Sequence, residues 1–109
     1  MFFFEKNAKV RKIDNTLLLT DLFIGQEEIF DLVIGELNGF HGTFINHGSD
    51  KYYYILSGEA EVAVEGEKAI VSEGDFVHVP INAKHYISGK CKFIIMCKPQ
   101  YDYKTEEKV

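Results

Sequence analysis

The sequence predicts an all-β fold, a small antiparallel β-barrel or jelly roll. Three observations carry this. Apolar residues alternate with polar ones in short segments, a period of two. Gly, Asn or Asp stands between most of these segments. No stretch long enough for three helical turns interrupts them. The length of 109 residues suits one domain with one core, set here at residues 1–109.

In chain order, "EIFDLVIGEL" (Glu28 to Leu37) reads as a strand. Its neighbourhood "QEEIFD" is able to form one helical turn, but the β-rich surroundings favour strand. "KYYYILS" follows from Lys51, with Lys51, Tyr53, Ile55 and Ser57 on one face and Tyr52, Tyr54 and Leu56 on the other. "AEVAVEG" and "KAIVS" flank Glu65-Gly66, a hairpin turn. In "EGDFVHVP", Gly74 supplies a backbone angle that other residues avoid, and Asp75 bonds the turn's own amides. Pro80 ends that strand because it cannot donate to a ladder. Asn82 tolerates a left-handed turn, so His85 heads the next strand. "KFIIMCKP" is the last strand, and the polar tail 100–109 is expected as a loose end.

Composition excludes several classes. Nearly half of the residues are apolar and 14% are aromatic, enough for a packed core. The net charge of -5, without a basic cluster, argues against nucleic acid and anionic membranes as partners. The opening "MFFFEKNAKVRK" is too short in apolar residues for a signal-peptide core, and no run reaches the ~20 residues of a membrane helix. Cys91 and Cys97 share one face of one strand, about 20 Å apart, too far to bond. Reduced thiols and a cytoplasmic location are expected. No CxxC, phosphate-binding glycine loop or nucleophile elbow is present.

Two stretches resemble the motifs of the cupin superfamily. The first motif of that family reads Gly, five residues, His-x-His, three or four residues, Glu, six residues, Gly. Gly39, Ile45-x-His47, Lys51 and Gly58 fit that spacing with three residues before Lys51. The second reads Gly, five residues, Pro-x-Gly, two residues, His, three residues, Asn. Gly74, Pro80-x-Asn82, His85 and Gly89 fit it. The motifs span 39–58 and 74–89. The resemblance implies a barrel with its functional site in an open mouth. In metal-bound members the two His and the Glu of the first motif and the His of the second hold one divalent ion.

Carried over by position, His47 and His85 stand at ligand positions, while Ile45 and Lys51 replace a histidine and the glutamate. Isoleucine has no donor atom, and an ammonium has no lone pair and repels a cation. No resident cofactor is therefore expected; the alternative is a weakly bound divalent metal (Ni, Zn, Fe or Mn) on His47 and His85. Asp50 is close enough in sequence for a reshaped turn to aim it inward. His41 shares the inward parity but lies about 20 Å along an extended strand, too far to join. His78 is read as a surface histidine, and the outer tyrosines as packing residues.

The family's Glu points into the barrel, so Lys51 and Tyr53 should do so too, alongside His47 and His85. These four are the candidate catalytic residues. One histidine would move a proton, and Lys51 would stabilise developing negative charge or attract a small anion. The alternative for Lys51 is snorkelling to water. Three functions follow. The first is a small-molecule-binding cupin without a tight metal, of isomerase or epimerase type or a binding module, for a polar or anionic ligand such as a sugar derivative or keto acid. The second is a metal-dependent isomerase, dioxygenase or decarboxylase. The third is a non-catalytic structural or sensing barrel. A homodimer is the expected assembly, because "MFFF" needs burial that a partner's sheet would supply.

Overall fold

The computed structural model describes residues 1–24 and 29–109. Nine strands follow one another: β1 (Lys9–Lys12), β2 (Leu17–Ile24), β3 (Asp31–Phe40), β4 (Phe44–Asn46), β5 (Asp50–Val64), β6 (Glu67–Ser72), β7 (Phe76–Val79), β8 (Lys84–Lys98) and β9 (Glu106–Lys108). Two short 3-10 turns, at Glu5–Asn7 and Tyr103–Thr105, complete the described structure. Every ladder is antiparallel. The expected antiparallel β architecture is the observed one. Of the strand expected from Glu28 to Leu37, Glu28 lies outside the described residues, while Ile29 and Phe30 precede the ladder and β3 begins at Asp31.

Several turns are local consequences of sequence. Glu65 and Gly66 have φ of 51° and 83° and form the β5–β6 hairpin, the two-residue turn with both centres left-handed. Asn82, at φ 69°, makes the bend between Pro80 and His85. Gly58 sits just past a register shift between Ile55 and Ser57, at φ 82°. A Cβ there would lie 2.2 Å from the Lys90 carbonyl oxygen, so only glycine lets β5 pass β8 at that point. "KYYYILS" and "AEVAV" thus form one bulged strand rather than two. The bulge also turns Ser57 outward, although Lys51, Tyr53 and Ile55 keep the predicted inner face.

β8 organises the barrel. Along one edge it pairs with β3 and then with β4, and along the other with β5. The inward-facing residues form rungs across β3, β8 and β5: Asp31–Cys97–Lys51, then Val33–Ile95–Tyr53, then Gly35–Phe93–Ile55. Charged groups sit on the first rung and apolar ones below. A straight strand from His85 to Cys97 would span about 40 Å. Yet Cys97 is in register with Lys51, and His85 Nε2 lies 3.4 Å from Lys51 Nζ. The sheet therefore curls until both ends of β8 reach one lysine.

The tail differs from expectation. Rather than ending loose, residues 106–108 form β9 and pair with β4, Asn46 opposite Glu106 and Ile45 opposite Glu107. Its polarity reflects a strand with a charge on each face, Glu106 inward and Glu107 outward.

Candidate functional site

A cavity of about 630 Å³ opens between the inner faces of the sheet. Leu17, Leu37, Phe93 and Ile95 supply its apolar walls, and Lys51, Tyr53 and His85 line it as expected. His47 does not.

β4 decides this. Phe44 lies opposite His85 on β8, and Asn46 lies opposite Glu106 on β9. Phe44, His85 and Glu106 line the cavity, and Asn46 is buried. Ile45 and His47 consequently fall on the outer face. The His47 side chain is 49% exposed, with Nε2 3.0 Å from Glu107 Oε1 and Nδ1 2.8 Å from Asn82 Oδ1. Both acceptors favour the charged ring, Glu107 first and Asn82 second, and raise its pKa above the ordinary imidazole value. The expected pairing of His47 with His85, as bases or as metal ligands, is thus corrected. Four residues rather than three separate the inward pair from Lys51. Phe44 and Asn46 occupy the places that the three-residue count gave to Ile45 and His47.

Lys51 is buried, and it does not snorkel. Its Nζ donates to Glu106 Oε1 at 2.7 Å and to His85 Nε2 at 3.4 Å. His85 Nδ1 lies 3.0 Å from the Ala83 carbonyl oxygen, which only accepts, so Nδ1 carries the proton and Nε2 presents its lone pair to the lysine. Burial, and then the Lys51 charge, lower the His85 pKa. The ring stays neutral near neutral pH. Asn46 Nδ2 donates to the second oxygen of Glu106, while Asn46 Oδ1 accepts from the Gly48 and Ser49 amides at 2.9 and 2.7 Å. Glu106, which lies in the tail read as loose, therefore cancels the charge that was expected to attract an anion.

Tyr53 packs edge-on against Phe93, centroids 5.3 Å apart, and burial pushes its phenol far up, so it remains a proton donor. Cys97 also lines the cavity; burial pushes its thiol up to about 12, which leaves it an unreactive apolar wall. His78 stacks on Tyr52 at the surface, as expected, and its Nε2 lies 3.3 Å from Asp50 Oδ1. Asp50 also accepts from the Ile81 amide and is turned away from the cavity.

Sequence reasoning missed His41. It lines the cavity, its ring stacked on Phe44 with centroids 5.0 Å apart. Its Nδ1 lies 2.6 Å from Asp14 Oδ2. Asp14 Oδ1 accepts from the Thr16 hydroxyl at 2.6 Å, the Thr16 amide at 2.7 Å and the Leu17 amide at 3.1 Å. These bonds, Thr16 foremost and His41 after it, hold the carboxyl far below its usual range. With Asp14 ionised, the neutral form of His41 carries its proton on Nδ1 and presents the lone pair of Nε2, which has no partner among the described residues. The two-residue period could not place His41, because the chain leaves the strand after Phe40 and bends at Gly42, φ 134°.

Two further charged groups lie on the cavity wall. Arg11 pairs with Asp21 at 2.6 Å, and buried Asp31 accepts from the Tyr101 amide at 3.0 Å and the Cys97 amide at 3.3 Å.

The curled antiparallel sheet, the two spaced motifs and a cavity in the barrel define a β-barrel of the jelly-roll kind. The sequence model for the Cupin domain matches residues 36–96, and the chain belongs to the cupin family. A tyrosine-to-phenylalanine variant of Streptomyces PAC13 solved with uridine is similar in structure, with a TM-score of 0.88, 17% identity, and coverage of 100% of this chain and 89% of that one. KdgF from Halomonas sp. aligns at TM-score 0.83 and 21% identity over 95% of this chain and 99% of that chain. A predicted oxalate decarboxylase from Thermotoga maritima aligns at 0.80 and 18% over 91% and 99%. At these identities the likeness concerns the fold. A sequence comparison with curated proteins returns no match.

Members of this family often hold a metal, and the inner residues here do not fit one. Phe44 has no donor atom, Asn46 is spent on two amides and Glu106, and the Lys51 ammonium stands between Glu106 and His85. Among the described residues no group of three His, Cys, Asp or Glu side chains converges.

Proposed function

We propose that this cupin binds an uncharged, polar small molecule, of the size of a sugar derivative or a nucleoside, and moves a proton on it without a metal. His41 is the base, held by Asp14, and Tyr53 and Lys51 supply hydrogen-bond donors to the ligand. The observation that carries this reading is the Asp14–His41 pair at the wall of a 630 Å³ cavity, since a carboxylate-oriented imidazole with a free Nε2 is the arrangement general-base chemistry needs. Charge supports the neutral ligand. The cavity is lined by two cations, Arg11 and Lys51, and three carboxylates, Asp21, Asp31 and Glu106, with each cation already paired. A keto acid or phosphate would find no free positive charge among the described residues. Pac13, a unique nucleoside dehydratase, is similar in structure, and PAC13 variants have been solved with uridine; this likeness agrees with a cavity of this size serving a neutral ring compound.

The test is a binding panel of uridine, uridine 5′-monophosphate, neutral aldoses and ketoses, and free uronic acids, followed by NMR for deuterium uptake at carbon in heavy water. Neutral compounds should bind more tightly than their charged counterparts, and His41→Gln should abolish exchange while binding persists. Tighter binding of the monophosphate would overturn the neutral-ligand reading. Exchange undiminished in His41→Gln would remove the histidine from the chemistry, and binding without exchange in any ligand would leave a binding module.

A further inference from the structure

Residues 99–105 cross from the end of β8 to β9 as a strap, and polar bonds fasten it along its length. Ser49 Oγ donates to the Pro99 carbonyl at 2.8 Å, and buried Asp31 accepts from the Tyr101 amide at 3.0 Å. Asp102 Oδ1 accepts from the Lys104 amide at 3.0 Å, and the Thr105 carbonyl accepts from the His47 amide at 2.9 Å. A connection fastened in this way holds its side chains in fixed places over the scaffold.

Two of those side chains are tyrosines that line the cavity and yet reach solvent, Tyr101 at 41% and Tyr103 at 73% exposed. They therefore stand at its opening. Lys51 steadies the first, its Nζ 5.8 Å from the Tyr101 ring centroid. The stacked rings of His41 and Phe44 line the same cavity, and β9 brings the strap's end beside Phe44 through the Phe44–Lys108 pairing. Polarity is thus divided. Buried Lys51, Tyr53 and Asp31 supply hydrogen-bonding groups inside, and aromatic faces stand at the opening. Aromatic surface left in water is area that a ligand's own flat face can cover.

We propose that the strap is the specificity element of this site, and that Tyr101 and Tyr103 take the face of a planar, conjugated ring. The ligand is then a two-part molecule, a flat heterocycle at the opening joined to a hydroxyl-bearing part inside, which is the chemistry of a nucleoside and not of a simple sugar. This inference rests on the neutral-ligand reading above and narrows it. Stacking on a tyrosine depends on the flatness of the partner, whereas simple coverage of apolar surface does not.

The experiment is calorimetric titration of uridine, dihydrouridine and methyl β-ribofuranoside into the full chain. Dihydrouridine keeps the groups of uridine on a puckered ring, and the riboside lacks the base. Wild type should bind uridine about 10-fold or more tighter than either, the effect of one base–aromatic stack. Tyr103→Leu keeps apolar bulk and should cut that preference to a few-fold, Tyr103→Phe should retain it, and Tyr101→Leu/Tyr103→Leu should abolish it. Affinity for the riboside should stay the same in the two single variants, because Tyr103 is exposed and its replacement leaves the inner groups in place. Equal binding of uridine and the riboside by wild type overturns this inference, as does an undiminished preference in Tyr103→Leu; the neutral-ligand reading survives both results. A Tyr103→Leu protein that loses both ligands alike also overturns it, since the tyrosine then acts on the whole site and not on the ring. If none of the three compounds binds, both readings fall together.

Discussion

Asp14 Oδ2 lies 2.6 Å from His41 Nδ1, joining the turn before β2 to the bend after β3 across 27 residues of sequence. Asp14 does two separable things there: Oδ1 holds the turn's amides and Oδ2 holds the imidazole. Asp14→Asn keeps an oxygen for the amides and loses the anion. Deuterium exchange into the bound ligand should fall by about 10²-fold or more, by analogy with loss of the orienting carboxylate in a catalytic triad. Melting temperature and ligand affinity should stay near wild type. An unchanged exchange rate would take the dyad out of the reaction.

The Lys51–Glu106 pair makes a prediction about stability. Both side chains are almost buried, 7% and 12% exposed, so removing one partner strands the other. Lys51→Met or Glu106→Met should each cost about 3 kcal/mol, near the lower end for a broken buried pair. Lys51→Met/Glu106→Met together should cost clearly less than the sum, since no charge is then left alone. Urea denaturation of the four proteins measures the coupling; additive losses would show that the two residues do not act as a pair.

His85 sets a pH dependence. Burial and the lysine charge lower its folded pKa below 6.5. Between the two values the unfolded chain binds more protons than the folded one, so stability rises with pH. The contribution is complete above about pH 6.5 and is lost as pH falls toward the folded value. His47 is shifted the other way, and its smaller contribution fades as pH rises through its folded value; it is exposed and screened. Calorimetry from about pH 7.5 to pH 5 should show the melting temperature falling on acidification, with a flatter slope in His85→Gln. Equal slopes would assign the acid sensitivity to another group.

Phe2 and Phe4 are 86% and 56% exposed and stack on each other at 6.4 Å, while Phe3 packs on Phe23 at 5.1 Å. If this aromatic start is covered by a second copy of the chain, Phe2→Ser/Phe4→Ser should shift the mass in light scattering from dimer to monomer. A mass that does not change would end the dimer proposal for this surface.

The barrel was legible because its signals are local. Period-two alternation in "KYYYILS", the Glu65-Gly66 hairpin and the Pro80–Asn82 bend act over a few residues, and each recurs in the structure. Strand β2 was less visible, since the "LLL" of Leu17–Leu19 blurs alternation. Half of the site was legible: the motif resemblance pointed to Lys51 and His85, and strand parity put Tyr53 on the face of Lys51. The rest depends on non-local choices. β4 has only three residues, too few to reveal its phase, and a spacer of three or four fits the motif equally well. Glu106 gains meaning only once β9 lies beside β4, and Asp14 only once His41 swings round at Gly42.

The strand pairings have a kinetic consequence. The contacts that make the site join residues 27, 34, 55 and 66 positions apart: Asp14 with His41, Lys51 with His85, Lys51 with Glu106, and Asp31 with Cys97. Each requires a long loop to be closed before it returns any energy, so this barrel belongs among the slow folders, milliseconds to seconds rather than microseconds. No hairpin excised from the chain would hold a partial pocket. Fraying of three-residue β9 alone would be enough to leave Lys51 without its carboxylate.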